Sequence, residues 1–145
     1  MSLFAAQSLS LDELLTALDH WVRWGWLRSL DRALVRWQLR QQPDTPAIVL
    51  LLTAFASHQV GRGHVCLDLQ ALLRHAGVTL ALPPERQRLS TEHQALLPER
   101  LLAQSLGTHD LQQYVLTSLP LLAAQLRDYS GILQMAETRL YLRRY

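Results

Sequence analysis

Between Ala47 and Ala56 every residue except Thr53 is apolar. No other stretch constrains the fold as strongly. The run is about half of the roughly 20 residues a bilayer span needs, so it is the core helix of a globular domain. Gly61 follows as a left-handed C-cap. Thr45 is the expected N-cap and Pro46 the first helical residue. A helix over Ala47 to about Val60 is apolar nearly all round, so it must be central and other elements must cover it.

Those elements can be read on either side. Ser10-Leu11-Asp12-Glu13 is a capping box. The helix behind it sets Leu11, Leu14, Leu15, Leu18, Trp21 and Val22 at helical spacing and ends or kinks at Gly25. Ser29 is the expected cap of a second helix, with Asp31 in its first turn and a stripe of Leu30, Ala33, Leu34 and Trp37. Asp68 is expected to cap a short helix closed by Gly77, and an apolar loop should run from Val78 to Pro84. Helices are also expected from Thr91, broken or restarted at Pro98, and over Asp110–Thr117. Pro120 to Tyr129 has no clear type.

Short strands complete the pattern. His64 to Leu67 is β-favouring. Ile132–Ala136 and Arg139–Leu142 read as a hairpin turning at Glu137-Thr138. A lone hairpin is marginal, so the His64–Leu67 strand should join it. The expected fold is mainly α (α+β): a bundle of five to seven helices with a small antiparallel sheet, in one domain over residues 1–145.

Composition narrows the chemistry. The chain is 49% hydrophobic and 18% charged, as in globular proteins. All 14 basic residues are Arg. A P-loop needs a Lys on the phosphates, and a Schiff-base enzyme needs a Lys amine; these residues supply neither. A net charge of +2 does not argue for nucleic acid by itself. One Cys permits no internal disulfide and fits a reducing compartment. No signal-peptide pattern opens the chain. A soluble, cytoplasmic protein is expected.

Three clusters are candidates for function. His58, His64 and Cys66 contain zinc-ligand types, with His20 or His75 as a fourth, but no paired-Cys spacing. The plainer reading makes Cys66 a small core residue and lets His64 tie the Gly61-Arg62-Gly63 turn through a backbone hydrogen bond. Cys66 as the nucleophile of a small enzyme would need an exposed thiolate beside a base. Trp21, Trp24, Trp26 and Trp37 lie among Arg23, Arg28, Arg32, Arg36 and Arg40. Arg28, Arg32, Arg36 and Arg40 recur every four residues and form one stripe. That stripe is a solvated face, a protein interface or a platform for single-stranded DNA. Trp24 and Trp26 bracket Gly25 and are expected at the surface. Trp24, Trp26, Arg28, Arg32 and Arg36 are the candidate partner contacts; Gly61, Gly63, His64 and Cys66 form the structural turn. No catalytic, cofactor or metal residue is assigned.

Three segments carry a family resemblance: Trp26-Leu27-Arg28-Ser29-Leu30-Asp31-Arg32-Ala33, then Ser57-His58 through Gly61-Arg62-Gly63-His64-Val65-Cys66-Leu67-Asp68-Leu69, then Arg139-Leu140-Tyr141-Leu142-Arg143-Arg144-Tyr145. They resemble the N-terminal domain of the RecD family, alpha subunits of exodeoxyribonuclease V (RecBCD). The resemblance implies a docking domain that packs on a RecC-like subunit within a RecB-containing complex. It also implies that an ATP- and Mg-dependent 5′ to 3′ DNA helicase motor follows in the parent subunit, with DNA met through the parent complex. Double-strand break repair and recombination would be the context. The piece itself would lack ATPase and nuclease activity, and in isolation it would be free to self-associate. Where the family has an Asp-Gly type turn before its last strand, this chain has Glu137-Thr138. The competing reading is a winged-helix DNA-binding module built from three helices, a strand and a terminal hairpin. It is disfavoured because Leu69–Ala76 carries only Arg74 and His75 where a recognition helix should be basic.

Overall fold

The computed structural model describes residues 9–128 and 131–143. Tyr129, Arg144 and Tyr145 lie outside the described residues. The axis is α3 (Ala47–Gly61), buried continuously from Ala47 to Ser57 and again at Gln59. A helix with no polar face can be satisfied only by neighbours on every side. Here α1 (Leu11–Arg23), α2 (Ser29–Gln41), α5 (Ala76–Leu80), α7 (Pro98–Leu106) and the sheet strands β1 (Leu67–Asp68) and β3 (Arg139–Leu142) supply them. Its N-cap is Pro46, one residue later than expected. The Thr45 hydroxyl is turned back to donate to the Gln42 carbonyl at 2.6 Å.

The capping box of α1 is present: the Glu13 amide donates to Ser10 Oγ at 3.1 Å and the Ser10 amide to Glu13 Oε1 at 3.3 Å. Leu14, Ala17, Leu18 and Trp21 face inward, and Trp21 lies against Phe55 with ring centroids 5.6 Å apart. Helix α2 is turned partly away from its apolar stripe, of which Leu34 and Trp37 still pack half-buried against the core. Its buried positions are Asp31, Val35 and Gln38, whereas Leu30 is 61% exposed and Ala33 faces solvent. Ser29 lies inside the helix and Arg28 is its N-cap.

The sheet has the order β1-β3-β2, with β2 spanning Leu133–Ala136 and both pairings antiparallel. Leu67 pairs with Leu140 and Leu133 with Leu142, so the hairpin turns at Glu137-Thr138 as expected. The first strand is displaced from the expected His64–Leu67 to Leu67–Asp68. The reason is local: the His64 amide donates to the Gln59 carbonyl at 3.0 Å, which holds this segment to the end of α3 and leaves only the following residues free to pair. Asp68 then ends the strand and caps α4 (Leu69–Arg74), its carboxylate accepting from the Ala71 amide at 3.1 Å.

The mainly α class with a small antiparallel sheet is observed. The described residues form nine helical segments, more than five to seven. The chain breaks at His75 instead of Gly77, so α5 occupies part of the expected Val78–Pro84 loop. Pro98 restarts the chain after α6 (Thr91–Ala95) as the first residue of α7. Asp110 caps α8 (Leu111–Thr117), and α9 (Leu119–Asp128) fills the stretch that had no clear type. No helix among the described residues is long and apolar enough to cross a membrane.

Glu137 holds φ at +57° in the hairpin turn. An L-residue there costs about 1–2 kcal/mol, which Gly avoids. Glu137→Gly is therefore expected to raise stability by about 1 kcal/mol, read as a higher denaturant midpoint with an unchanged slope.

Candidate functional site

The first turn of α2 carries a fully buried carboxylate. A buried charge is tolerated only when donors surround it, and four converge on Asp31. Its Oδ1 accepts from Arg28 Nη2 at 2.8 Å and from Ser57 Oγ at 2.6 Å. Its Oδ2 accepts from the Arg28 backbone N–H at 2.8 Å and more weakly from Arg28 Nε at 3.5 Å. Arg28 Nη2 also donates to the Ser57 carbonyl at 3.0 Å. The guanidinium lies directly on Gly61, where an added Cβ would overlap it. Gly61 is thus the last helical residue, kept bare for Arg28, and is not the left-handed cap. The left-handed residue is Gly63, with φ +91°.

The Gly61-Arg62-Gly63 turn spends its amides inside the helix end. Arg62 N–H donates to the His58 and Gln59 carbonyls, and Gly63 N–H to the Val60 carbonyl. These groups sit at the carbonyl end of α3, where the helix dipole disfavours an anion. The residues therefore do not fit a nucleotide phosphate. Side chains of the same helix end reach α5: Gln59 Nε2 and Arg62 Nη1 each donate to the Thr79 carbonyl at 3.0 Å, and His58 Nε2 donates to the Leu80 carbonyl at 2.8 Å. Burial holds the His58 pKa below 6.5, outweighing the Leu80 hydrogen bond and the Asp31 charge that favour protonation; Arg62 and Arg28 lower it further. His64 is exposed and ties the turn through its backbone N–H. Cys66 is a free, half-buried thiol, and its neighbour Val65 is 80% exposed, so this segment is not the buried strand expected of it. Among the described residues no three His, Cys, Asp or Glu side chains gather as a metal ion requires.

The structure divides the arginine stripe. Arg28 faces α3, while Arg32 Nη1 and Arg36 Nη2 reach back to Asp19 of α1 at 3.1 and 3.2 Å. Asp19 and Arg36 are substantially exposed and Arg32 is partly so, so each contact contributes little. Trp24 is half-buried. Trp26 is buried, contrary to the surface position expected for it, and its indole N–H donates to Gln87 Oε1 at 2.7 Å. Both rings contact His93, with centroids 4.4 and 5.7 Å away. Gln87 and His93 were not singled out from the sequence. They stand some 60 residues or more from the tryptophans in sequence, and no local pattern joins them.

Two of the segments noted in the sequence meet in one place. Leu27–Asp31 contributes Arg28 and Asp31, and Ser57–Leu69 contributes Ser57 and Gly61; the latter then runs into β1, which pairs with β3, the third segment. The family model described as RecBCD enzyme subunit RecD, N-terminal domain, matches residues 23–141. The chain belongs to this RecD N-terminal family. No curated protein and no solved structure gives a significant match. In this RecD domain, then, the segments that carry the resemblance build the junction between α2, α3 and the sheet.

Two outcomes follow from the junction. Gly61→Ala should cost about 1–2 kcal/mol, because the guanidinium must leave Asp31. In an Arg28→Ala background the same change should be neutral or stabilising, since Ala favours a helix over Gly by about 1 kcal/mol. A double-mutant cycle on denaturant midpoints measures that coupling. For His58, the folded pKa lies below the unfolded one, so its contribution is present above pH 6.5 and is lost as pH falls from there through the folded value. Unfolding midpoints across mildly acidic pH should drop for the natural chain and drop less for His58→Gln.

Proposed function

We propose that this chain is the docking domain of a RecD-like subunit, and that it fixes a 5′ to 3′ ATP-dependent DNA helicase motor to a RecC-like subunit. The parent assembly is a RecB-containing exodeoxyribonuclease V acting in double-strand break repair and recombination in the cytoplasm. ATP and Mg belong to the parent motor, and DNA is met through the complex. The family match over residues 23–141 carries this reading. It is supported by how the domain uses its polar motif residues: Arg28, Asp31, Gln59 and Arg62 hold helices together, which suits a rigid adaptor. The winged-helix reading gains nothing from the geometry. Helix α4, which follows the first strand, has Arg74 as its only charged residue.

The test is co-purification. The full parent subunit, with and without residues 1–145, is produced together with its RecC-like and RecB-like partners. Deletion should abolish retention on the RecC-like subunit while leaving ATP hydrolysis by the free motor. Assembly of the truncated subunit at undiminished affinity would defeat the docking reading, and salt-dependent binding of duplex DNA by the domain would favour the winged-helix one.

A further inference from the structure

Two valines beside the Gly61-Arg62-Gly63 turn take no part in the core. Val60 is 45% exposed and Val65 80% exposed, although Gln59 and Leu67 beside them are buried. With His64, Tyr141, Leu142 and Arg143 they line a cleft of about 430 Å³ between the end of α3 and the last strand. Both walls are held in place. The Gly63 amide donates to the Val60 carbonyl at 3.0 Å, and the Arg143 amide to the Ile132 carbonyl at 2.7 Å. Arg143 Nε also donates to the Leu133 carbonyl at 3.3 Å. The cleft is therefore preformed, which lowers the ordering cost of filling it.

Its chemistry specifies an occupant. Exposed apolar surface rimmed by polar groups marks a protein contact. The fixed charge of the cleft is cationic: Arg143 lines it, and no carboxylate among the described residues does. Among the described residues lining the cleft, Tyr141 is the one Phe, Tyr or Trp, whereas single strands stack successive bases on several rings, and the valines offer nothing to a phosphate. We infer that this cleft receives an apolar, acidic segment of the partner subunit, which sets an aliphatic side chain against Val60 and Val65 and a carboxylate against Arg143. The inference rests on the docking reading and gives it an address.

The experiment uses the full parent subunit and measures its affinity for the RecC-like partner. Val65→Asp and Arg143→Glu should each weaken binding about tenfold or more. Leu116→Asp, at a leucine 71% exposed on α8, should not. Added salt should weaken the natural subunit's binding more than that of Arg143→Glu. Thermal unfolding midpoints should match the natural subunit; if Val65→Asp lowers its own, Val65→Ser removes the apolar surface without a charge and must still weaken binding. Natural affinity in Val65→Asp, in a subunit whose binding is abolished by deleting residues 1–145, overturns this address and leaves docking intact. Undiminished binding after the deletion overturns both. A Val65→Asp variant that loses self-association or single-stranded DNA binding but keeps the partner also overturns the inference, and assigns the cleft to a second copy or to nucleic acid.

Discussion

Everything in this domain is arranged around one buried carboxylate. Asp31 lies on the face of α2 that packs against the apolar axis, where an unpaired charge would be intolerable. Two residues from opposite sides make it acceptable: Arg28 from its own helix entry and Ser57 from α3. The contact specifies the rotation of α2 about its axis and its height along α3 in one step. Apolar packing alone would leave α2 free to turn Leu30 and Ala33 inward; satisfying Asp31 forbids it. Only the Asp31 end of the ion pair is buried, the Arg28 side chain being about half exposed, and specifying one arrangement is the use such a buried charge serves best.

The same contact accounts for the glycine at the end of α3. The guanidinium needs a flat helix surface to lie on, and Gly61 provides it. The next residues then turn at Gly63 and remain tied to the helix end until the first strand begins. Entry to α2, exit from α3 and the start of the sheet are thus parts of one mechanical unit. Such a unit holds the three elements in one fixed relation.

The sequence made legible what is local. The apolar α3, the caps at Ser10 and Asp68, the restart at Pro98 and the Glu137-Thr138 turn each depend on a few neighbouring residues, and each was found where it was expected. What was misread depends on distant partners. Counting apolar residues put Leu30 and Ala33 inside, because nothing in the helical spacing reveals that Asp31 has Ser57 waiting 26 residues on. Trp26 looked like a surface residue until Gln87 and His93 covered it. The first strand was placed three residues early because its β-favouring residues compete with hydrogen bonds from the end of α3. Of the five proposed contact residues, Trp26 is enclosed and Arg28, though about half exposed, also serves Asp31, whereas Val60 and Val65 passed unnoticed because an apolar residue at the end of a core helix or in a β-favouring stretch is ordinarily read as core.

The strand order has a consequence for how the chain comes off the ribosome. The middle strand, β3, is the latest of the three to be synthesised, and the other two do not touch each other. The helices can condense early. Leu67 and Asp68 must nonetheless wait about half the length of the chain for the strand they pair with. During that interval the pairing edge of Leu67 and Asp68 is open, and the arrival of Arg139–Leu142 closes the sheet.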